Sequence, residues 1–137
     1  MLIDFHTHTS ASDGALDPCQ LVARALANKI DLLAITDHDT VTGYEVAAAY
    51  HRPVPGGMQL IPAIELSCQW SGTTIHILGL GIDCEHPAMR CALTNMHTAR
   101  LERGAVIASR LASRGFVGAL QGALEHAAGS QLGRPHF

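Results

Sequence analysis

The sequence predicts an α/β fold in which parallel strands alternate with helices. Apolar runs at residues 2–5, 31–36 and 60–68 have the length of strands, and helix-start signals lie between them. The run at 31–36 is apolar almost without alternation, which is typical of a parallel strand covered on both faces. Right-handed crossovers then bring the C-terminal ends of these strands to one edge of the sheet.

The two connecting helices have recognisable beginnings. Asp17 precedes a proline and has a glutamine three residues later, a capping-box variant that predicts a helix ending near residue 28. Thr42 and Glu45 have capping-box spacing and predict a second helix through residue 49, capped by Thr42.

The second half of the chain is predicted to be mostly helical. A turn at residues 71–72 is followed by a returning strand at 74–82. From residue 87 onward the apolar spacing is helical, with Gly115 as a C-cap and a short helix at 118–128. Because three or four strands cannot close a barrel, we expect an N-terminal part of a longer protein.

Composition narrows the class of protein. The chain has 137 residues, of which 47% are hydrophobic, so a single packed domain is predicted. The net charge of −3 argues against binding to duplex DNA or to an anionic membrane surface. We predict neither a transmembrane helix nor a signal peptide. Four cysteines without CxxC spacing favour a reduced, cytoplasmic protein.

The most informative motif lies directly after the first predicted strand. His6 and His8 are two residues apart, so strand periodicity points both imidazoles to the same side. Asp13 follows five residues later, before a glycine. Two imidazoles and a carboxylate at a strand end suit a divalent transition metal.

Further polar side chains follow the other predicted strands. Asp37, His38 and Asp39 come directly after the second strand. Glu65 lies within the apolar third strand, where a carboxylate is costly to bury unless it is paired or metal-bound. His76 lies in the returning strand. We place all of these groups at the C-terminal edge of the sheet, where α/β proteins bind ligands.

Each of these residues also has an ordinary structural explanation. His76 alone is more often a hydrogen-bonded core or surface histidine, and Glu65 alone is equally compatible with an arginine partner. Residues 36–39 alone are equally compatible with a helix cap and a turn. Their joint occurrence favours metal binding. The remaining histidines lack such a setting and are predicted to lie at the surface: His51, His86, His97, His126 and His136.

These motifs resemble a known family. HxHxxxSDG at residues 6–14, TDHD at 36–39, IELS at 64–67 and HILGLGID at 76–83 are similar to motifs of the PHP superfamily, named for polymerase and histidinol phosphatase. The residues within these motifs look most like those of the branch of 3′,5′-nucleoside bisphosphate phosphatases, which includes the RNase AM type of 5′→3′ exoribonuclease.

The resemblance implies a fold and a division of the chain. The fold would be the N-terminal portion of a distorted (β/α)7 barrel, with residues 1–85 contributing strands and metal-binding motifs. Residues 86–137 would begin a helical insertion that covers the active site.

The resemblance also implies a site for three divalent metal ions, whose remaining ligands would come from the second half of the barrel. This chain would supply six of the ligands: His6, His8, Asp13, His38, Glu65 and His76. The first two histidines and Glu65 would hold one ion. Glu65 would bridge to a second ion with His76 as its ligand. Asp13 and His38 would serve the third and take part in catalysis.

The resemblance also implies a role for the two aspartates beside His38 and a choice of metal. Asp37 and Asp39 would orient His38 or its turn. Imidazole and carboxylate ligands suit Mn, Fe and Zn alike, and manganese is the first choice.

Arginines of the predicted helical tail could serve a phosphate. Arg100, Arg103, Arg110 and Arg114 fall within an arc of roughly 80° on a helical wheel. A solvated helix face explains this arc, and so does phosphate recognition. By analogy with similar proteins, we predict Arg100, Arg103 and Arg134 as substrate contacts and the other two as exposed.

The implied function is metal-dependent phosphoester hydrolysis. The expected reaction removes the 3′-phosphate from a nucleoside 3′,5′-bisphosphate, with short RNA 5′ ends as further substrates. One alternative is a phosphatase of the histidinol-phosphate type. Another is a non-catalytic or proofreading PHP module of a polymerase.

Overall fold

The computed structural model describes all residues from Met1 to Phe137. The elements follow the order β1 (Ile3–Thr7), α1 (Pro18–Ala27), β2 (Leu32–Ile35), α2 (Thr42–Tyr50), β3 (Gln59–Trp70), β4 (Thr73–Leu80), α3 (Pro87–Ala112), α4 (Ala119–Ala127) and a 3₁₀ turn (Arg134–His136). The predicted α/β alternation is confirmed.

The four strands form one sheet in the order β1-β2-β3-β4. The first three are parallel, and β4 is antiparallel to β3. β3 has 12 residues and pairs with β2 only as far as Pro62, so its second half extends beyond the parallel part of the sheet and pairs with β4. This extension carries Glu65 past the end of β2.

The placement of His76 at the C-terminal end of a parallel strand is wrong. His76 lies in the middle of antiparallel β4, in register with Ser67. Ser71 and Gly72 form the hairpin turn with φ values of 48° and 78°. Positive φ at both central residues matches the twist of a two-residue hairpin, so the chain folds straight back.

Helices α1 and α2 pack on the sheet over a core of six buried residues: Val22, Ala25, Leu33, Ile35, Ala47 and Met58. In β2 the three residues after Leu32 are buried, as expected of a covered parallel strand. A second, smaller cluster joins α4 to the chain end through Ala123, Ala127 and Leu132.

One of the two predicted helix caps is confirmed and the other is wrong. Asp17 caps α1 by accepting hydrogen bonds from the amides of Cys19 and Gln20 at 2.8 and 3.0 Å, which confirms the capping box. The cap at Thr42 is wrong, because the N-cap position of α2 is Val41 and has no side-chain cap. Thr40 Oγ1 accepts from the Thr42 amide at 3.2 Å, so the turn begins two residues earlier.

Helix α3 ends at Ala112, three residues before the predicted cap. Gly115 lies in the following turn with φ of 92°. Arg114 therefore lies beyond the helix and does not share its face. None of the helices combines the length and the apolar character needed to cross a bilayer.

Candidate metal centre

His6 and His8 come from the end of β1 and the residue after it. Their rings lie on the same side, with centroids 5.2 Å apart. The His6 side chain is 55% exposed and the His8 side chain 20% exposed. The period-two spacing of the sequence thus delivers two imidazoles to one place.

Glu65 lies between three of the histidines. Its Oε2 is 2.9 Å from His6 Nε2 and 3.0 Å from His8 Nε2, and its Oε1 is 2.8 Å from His76 Nδ1. Burial acts to raise the pKa of Glu65, but the hydrogen bonds from His6 and His76 outweigh it and lower the pKa below its ordinary value. Glu65 is therefore an anion with both oxygens directed at imidazoles.

Asp13 and His38 complete the centre on its other side. His8 Nδ1 is 2.9 Å from Asp13 Oδ1, and His38 Nε2 is 3.7 Å from Asp13 Oδ2. The His38 ring stands edge-on to those of His8 and His76, with centroids 4.8 Å away in each case. Burial lowers the pKa of His38 despite the nearby carboxylates, so its ring is neutral at neutral pH.

The donor set fits divalent metal ions. Three overlapping groups each bring ligand atoms within 4.8 Å of one another: His6, His8 and Glu65; His8, Asp13 and His38; and His38, Glu65 and His76. His38 Nδ1 is buried and has no hydrogen-bond partner, lying 3.8 Å from Glu65 Oε2. A buried ring nitrogen without a hydrogen-bond partner is costly in a finished structure, and a cation bound at this place would satisfy it. We call these six residues the candidate metal centre.

Asp37 was expected to orient His38 or its turn, but its side chain hydrogen-bonds the loop between β1 and α1. Its carboxylate accepts hydrogen bonds from the amide and the hydroxyl of Thr9, both at 2.7 Å, and from Ser12 Oγ at 2.6 Å. The side chain is buried, with only 1% of Asp37 exposed. Asp37 thus fixes the loop between β1 and α1, which carries Asp13.

Gly43 in the first turn of α2 makes room for this carboxylate. A Cβ at residue 43 would lie 1.9 Å from Asp37 Oδ2 and 2.6 Å from Thr9 Oγ1. We expect Gly43→Ala to lower the free energy of unfolding by about 2 kcal/mol, although alanine normally stabilises a helix. Gly122→Ala in α4 is the control, because nothing lies within 4 Å of its Cβ, and it should raise stability by about 0.5–1 kcal/mol. Urea unfolding of both variants measures the difference, and equal effects would contradict the packing argument.

Asp39 was also expected to orient His38 or its turn, and its side chain ties that turn to β3 and α3. Its Oδ1 accepts from the Ser67 amide at 2.7 Å, and its Oδ2 accepts from Arg100 Nε at 2.8 Å. Burial acts to raise the pKa of Asp39, but the hydrogen bonds from Ser67 and Arg100 outweigh it and lower the pKa. Neither Asp37 nor Asp39 hydrogen-bonds the His38 ring.

The predicted arginines separate into distinct environments. The Arg100 side chain is only 12% exposed, and besides Asp39 it donates to the Leu132 carbonyl at 3.1 Å. Its donors are therefore already engaged by the protein. Arg103 and Arg134 are exposed and form no ion pair. Arg110 and Arg114 are exposed and lie outside the cleft described next.

A cleft of about 270 Å³ joins the metal-centre residues to the arginines. Its lining includes Asp13, His38 and His76 together with Arg100, Arg103, Arg134, Ser67, Thr74, Gln131 and His136.

The surface prediction for His136 is incomplete, because its partly buried ring lines the cleft. His86, His97 and His126 are exposed, and His51 is partly buried with Nε2 3.0 Å from the Met58 carbonyl oxygen. No motif spacing pointed to His136.

Comparisons with known proteins agree with this arrangement. The 5′-3′ exoribonuclease Rnm of Salmonella typhimurium is 43% identical over 137 residues, which cover all of this chain and 47% of the relative. A 3′,5′-nucleoside bisphosphate phosphatase of Chromobacterium violaceum is 39% identical over 137 residues, covering 98% of this chain and 47% of the relative. The chain thus spans about half the length of these curated relatives.

A solved structure has the same fold. An amidohydrolase from Chromobacterium violaceum, with bound sulfate and no metal, superimposes with a TM-score of 0.84 at 36% identity. The match covers 99% of this chain and 48% of the other. The model of the PHP domain family matches residues 4–118, which include all six residues of the candidate metal centre. The chain therefore belongs to the PHP domain family.

Proposed function

We propose that this chain supplies the metal-binding part of a phosphoesterase that removes the 3′-phosphate from nucleoside 3′,5′-bisphosphates. Short RNA 5′ ends are proposed as further substrates of the same site. The observation that carries the proposal is the candidate metal centre opening into a cleft whose other side bears arginines. The relatives named as a bisphosphate phosphatase and an exoribonuclease support this substrate class.

The donors support three divalent ions, with manganese as the proposed metal and iron or zinc as alternatives. His6, His8 and Glu65 would hold one ion, and Glu65 with His76 would hold another. Asp13 and His38 would hold the third. When bound, such ions supply an activated water at neutral pH and neutralise charge that develops on phosphoryl oxygens.

We assign the reacting phosphate to the metal-centre end of the cleft. Asp13 and His38 both line the cleft, so they are the proposed catalytic residues at its metal-centre end. The Asp13 side chain is 48% exposed and can accept a proton from attacking water. Glu65 is buried behind them and holds three imidazoles in place, which excludes it from contact with substrate.

The second phosphate of the substrate is assigned to the arginine side of the cleft. Arg134→Ala should raise KM for adenosine 3′,5′-bisphosphate about 10-fold and leave the bound metal unchanged, because a charge-assisted hydrogen bond is lost. Arg110→Ala is the control, since Arg110 is exposed and away from the cleft. An unchanged KM in Arg134→Ala would assign this arginine to the solvated surface.

The proposal is tested by phosphate release from the metal-loaded full-length protein that contains this chain. Adenosine 3′,5′-bisphosphate should be hydrolysed faster than histidinol phosphate, and activity should disappear on chelation. Preference for histidinol phosphate would favour the phosphatase alternative. Metal binding without hydrolysis of any phosphoester would favour a non-catalytic PHP module.

We also propose a division of the chain into a barrel part and a helical insertion. Residues 1–85 would form part of a distorted (β/α)7 barrel, and residues 86–137 would belong to a helical insertion above the site. The four cysteines are unpaired, which supports action in the reducing cytoplasm.

A further inference from the structure

The ring of His136 has a defined hydrogen-bonding state. The Gly133 amide donates to His136 Nδ1 at 3.0 Å, within the turn at Arg134–His136. A backbone N–H can only donate, so Nδ1 is an acceptor and the proton of the neutral ring is on Nε2. The turn therefore leaves the Nε2–H free to donate to a ligand.

The His136 side chain lines the same cleft as two arginines that form no ion pair. Arg103 and Arg134 form no ion pair, whereas Arg100 is bound to Asp39. Partial burial and the charges of Arg100 and Arg134 lower the pKa of Arg103, although Asp39 acts in the opposite direction. Because Asp39 is already bound by Arg100, an anion between Arg103 and Arg134 would relieve their mutual repulsion.

We propose that His136 is a specificity residue that donates its Nε2–H to the non-reacting phosphate of the substrate, beside Arg103 and Arg134. This inference rests on the proposed function for the identity of the substrate. It adds a neutral, directional donor to a pair of cations. A neutral donor with a fixed tautomer discriminates by position, because it binds only an oxygen that lies on the line of its N–H.

Two substitutions separate the donor from the turn. In His136→Asn the side-chain carbonyl takes the place of Nδ1 and can still accept from Gly133, but no donor reaches the position of Nε2. In His136→Gln the amide nitrogen extends to that position and can replace the donor. His126→Asn is the matched control, since its exposed ring is 6.1 Å from that of His136 and does not line this cleft.

The first measurement needs no activity. Long-range ¹H–¹⁵N correlation spectra of the histidine rings should show His136 as the Nε2–H tautomer, with an Nε2 resonance that shifts when inorganic phosphate is added. An Nδ1–H tautomer, or no shift at saturating phosphate, would overturn the inference. Because this test uses binding alone, it can succeed even if the protein hydrolyses no bisphosphate, which would count against the proposed function only.

The second measurement separates KM from kcat. His136→Asn should raise KM about 10-fold for adenosine 3′,5′-bisphosphate and leave KM for adenosine 3′-monophosphate, which lacks the second phosphate, unchanged. His136→Gln should recover most of the loss, and His126→Asn should resemble the wild type. An equal loss with both substrates would show that His136 maintains structure only and would overturn the inference.

Discussion

Glu65→Gln is expected to remove metal from the candidate metal centre. Glu65 is 5% exposed and brings its two oxygens to within 3.0 Å of nitrogens of His6, His8 and His76. Glutamine keeps the size of the side chain but lacks the negative charge that attracts a metal cation into this site. The affinity for Mn²⁺ should fall by at least about 100-fold, measured by calorimetric titration.

Glu102→Gln is the matched control for this titration. Glu102 is exposed on α3 and has no salt bridge, so its substitution should leave metal binding unchanged. Circular dichroism of Glu65→Gln checks that the fold persists. If a folded Glu65→Gln protein binds Mn²⁺ as the wild type does, Glu65 is not a ligand.

Asp37→Ala is expected to have the largest effect on stability. Its carboxylate satisfies three buried donors on Thr9 and Ser12, and alanine would leave all three without an acceptor. Each buried unsatisfied donor costs about 1–3 kcal/mol, so the free energy of unfolding should fall by about 3 kcal/mol or more. Urea unfolding measures this loss. The loop to Asp13 should loosen as well, which weakens metal binding indirectly.

Asp37→Asn separates the hydrogen bonds from the charge. Its Oδ1 can still accept from the Thr9 amide and Ser12, while the Thr9 hydroxyl rotates to accept from the new amide group. The cost should be about 1 kcal/mol. Equal destabilisation by both variants would contradict the account, because it would assign the effect to the charge and not to the unsatisfied donors.

Local patterns in the sequence predicted the parallel strands and both early helices, and they singled out the six residues that the structure brings together. These features depend on short-range regularities, such as the spacing of His6 and His8 or the capping box at Asp17. A carboxylate within an apolar strand was itself a signal, because burial of Glu65 requires partners.

The parts that were missed depend on contacts between distant residues. Asp39 is 61 residues from Arg100, and nothing near it in the chain indicates that it would bind α3. Arg100 was predicted as a substrate contact by analogy with similar proteins, and nothing near it in the chain indicates that it pairs with Asp39. His136 was assigned to the surface because its neighbours in the cleft come from other elements.

The central claim is that imidazoles and carboxylates from separate strands hold divalent cations in one pocket. Crystals of the protein soaked in Mn²⁺ and measured near the manganese absorption edge test it most directly. We expect anomalous peaks between His6, His8, Asp13, His38, Glu65 and His76, at about 2.0–2.3 Å from their ligand atoms. An ordered pocket without a peak, or peaks only at other surface sites, would contradict the account.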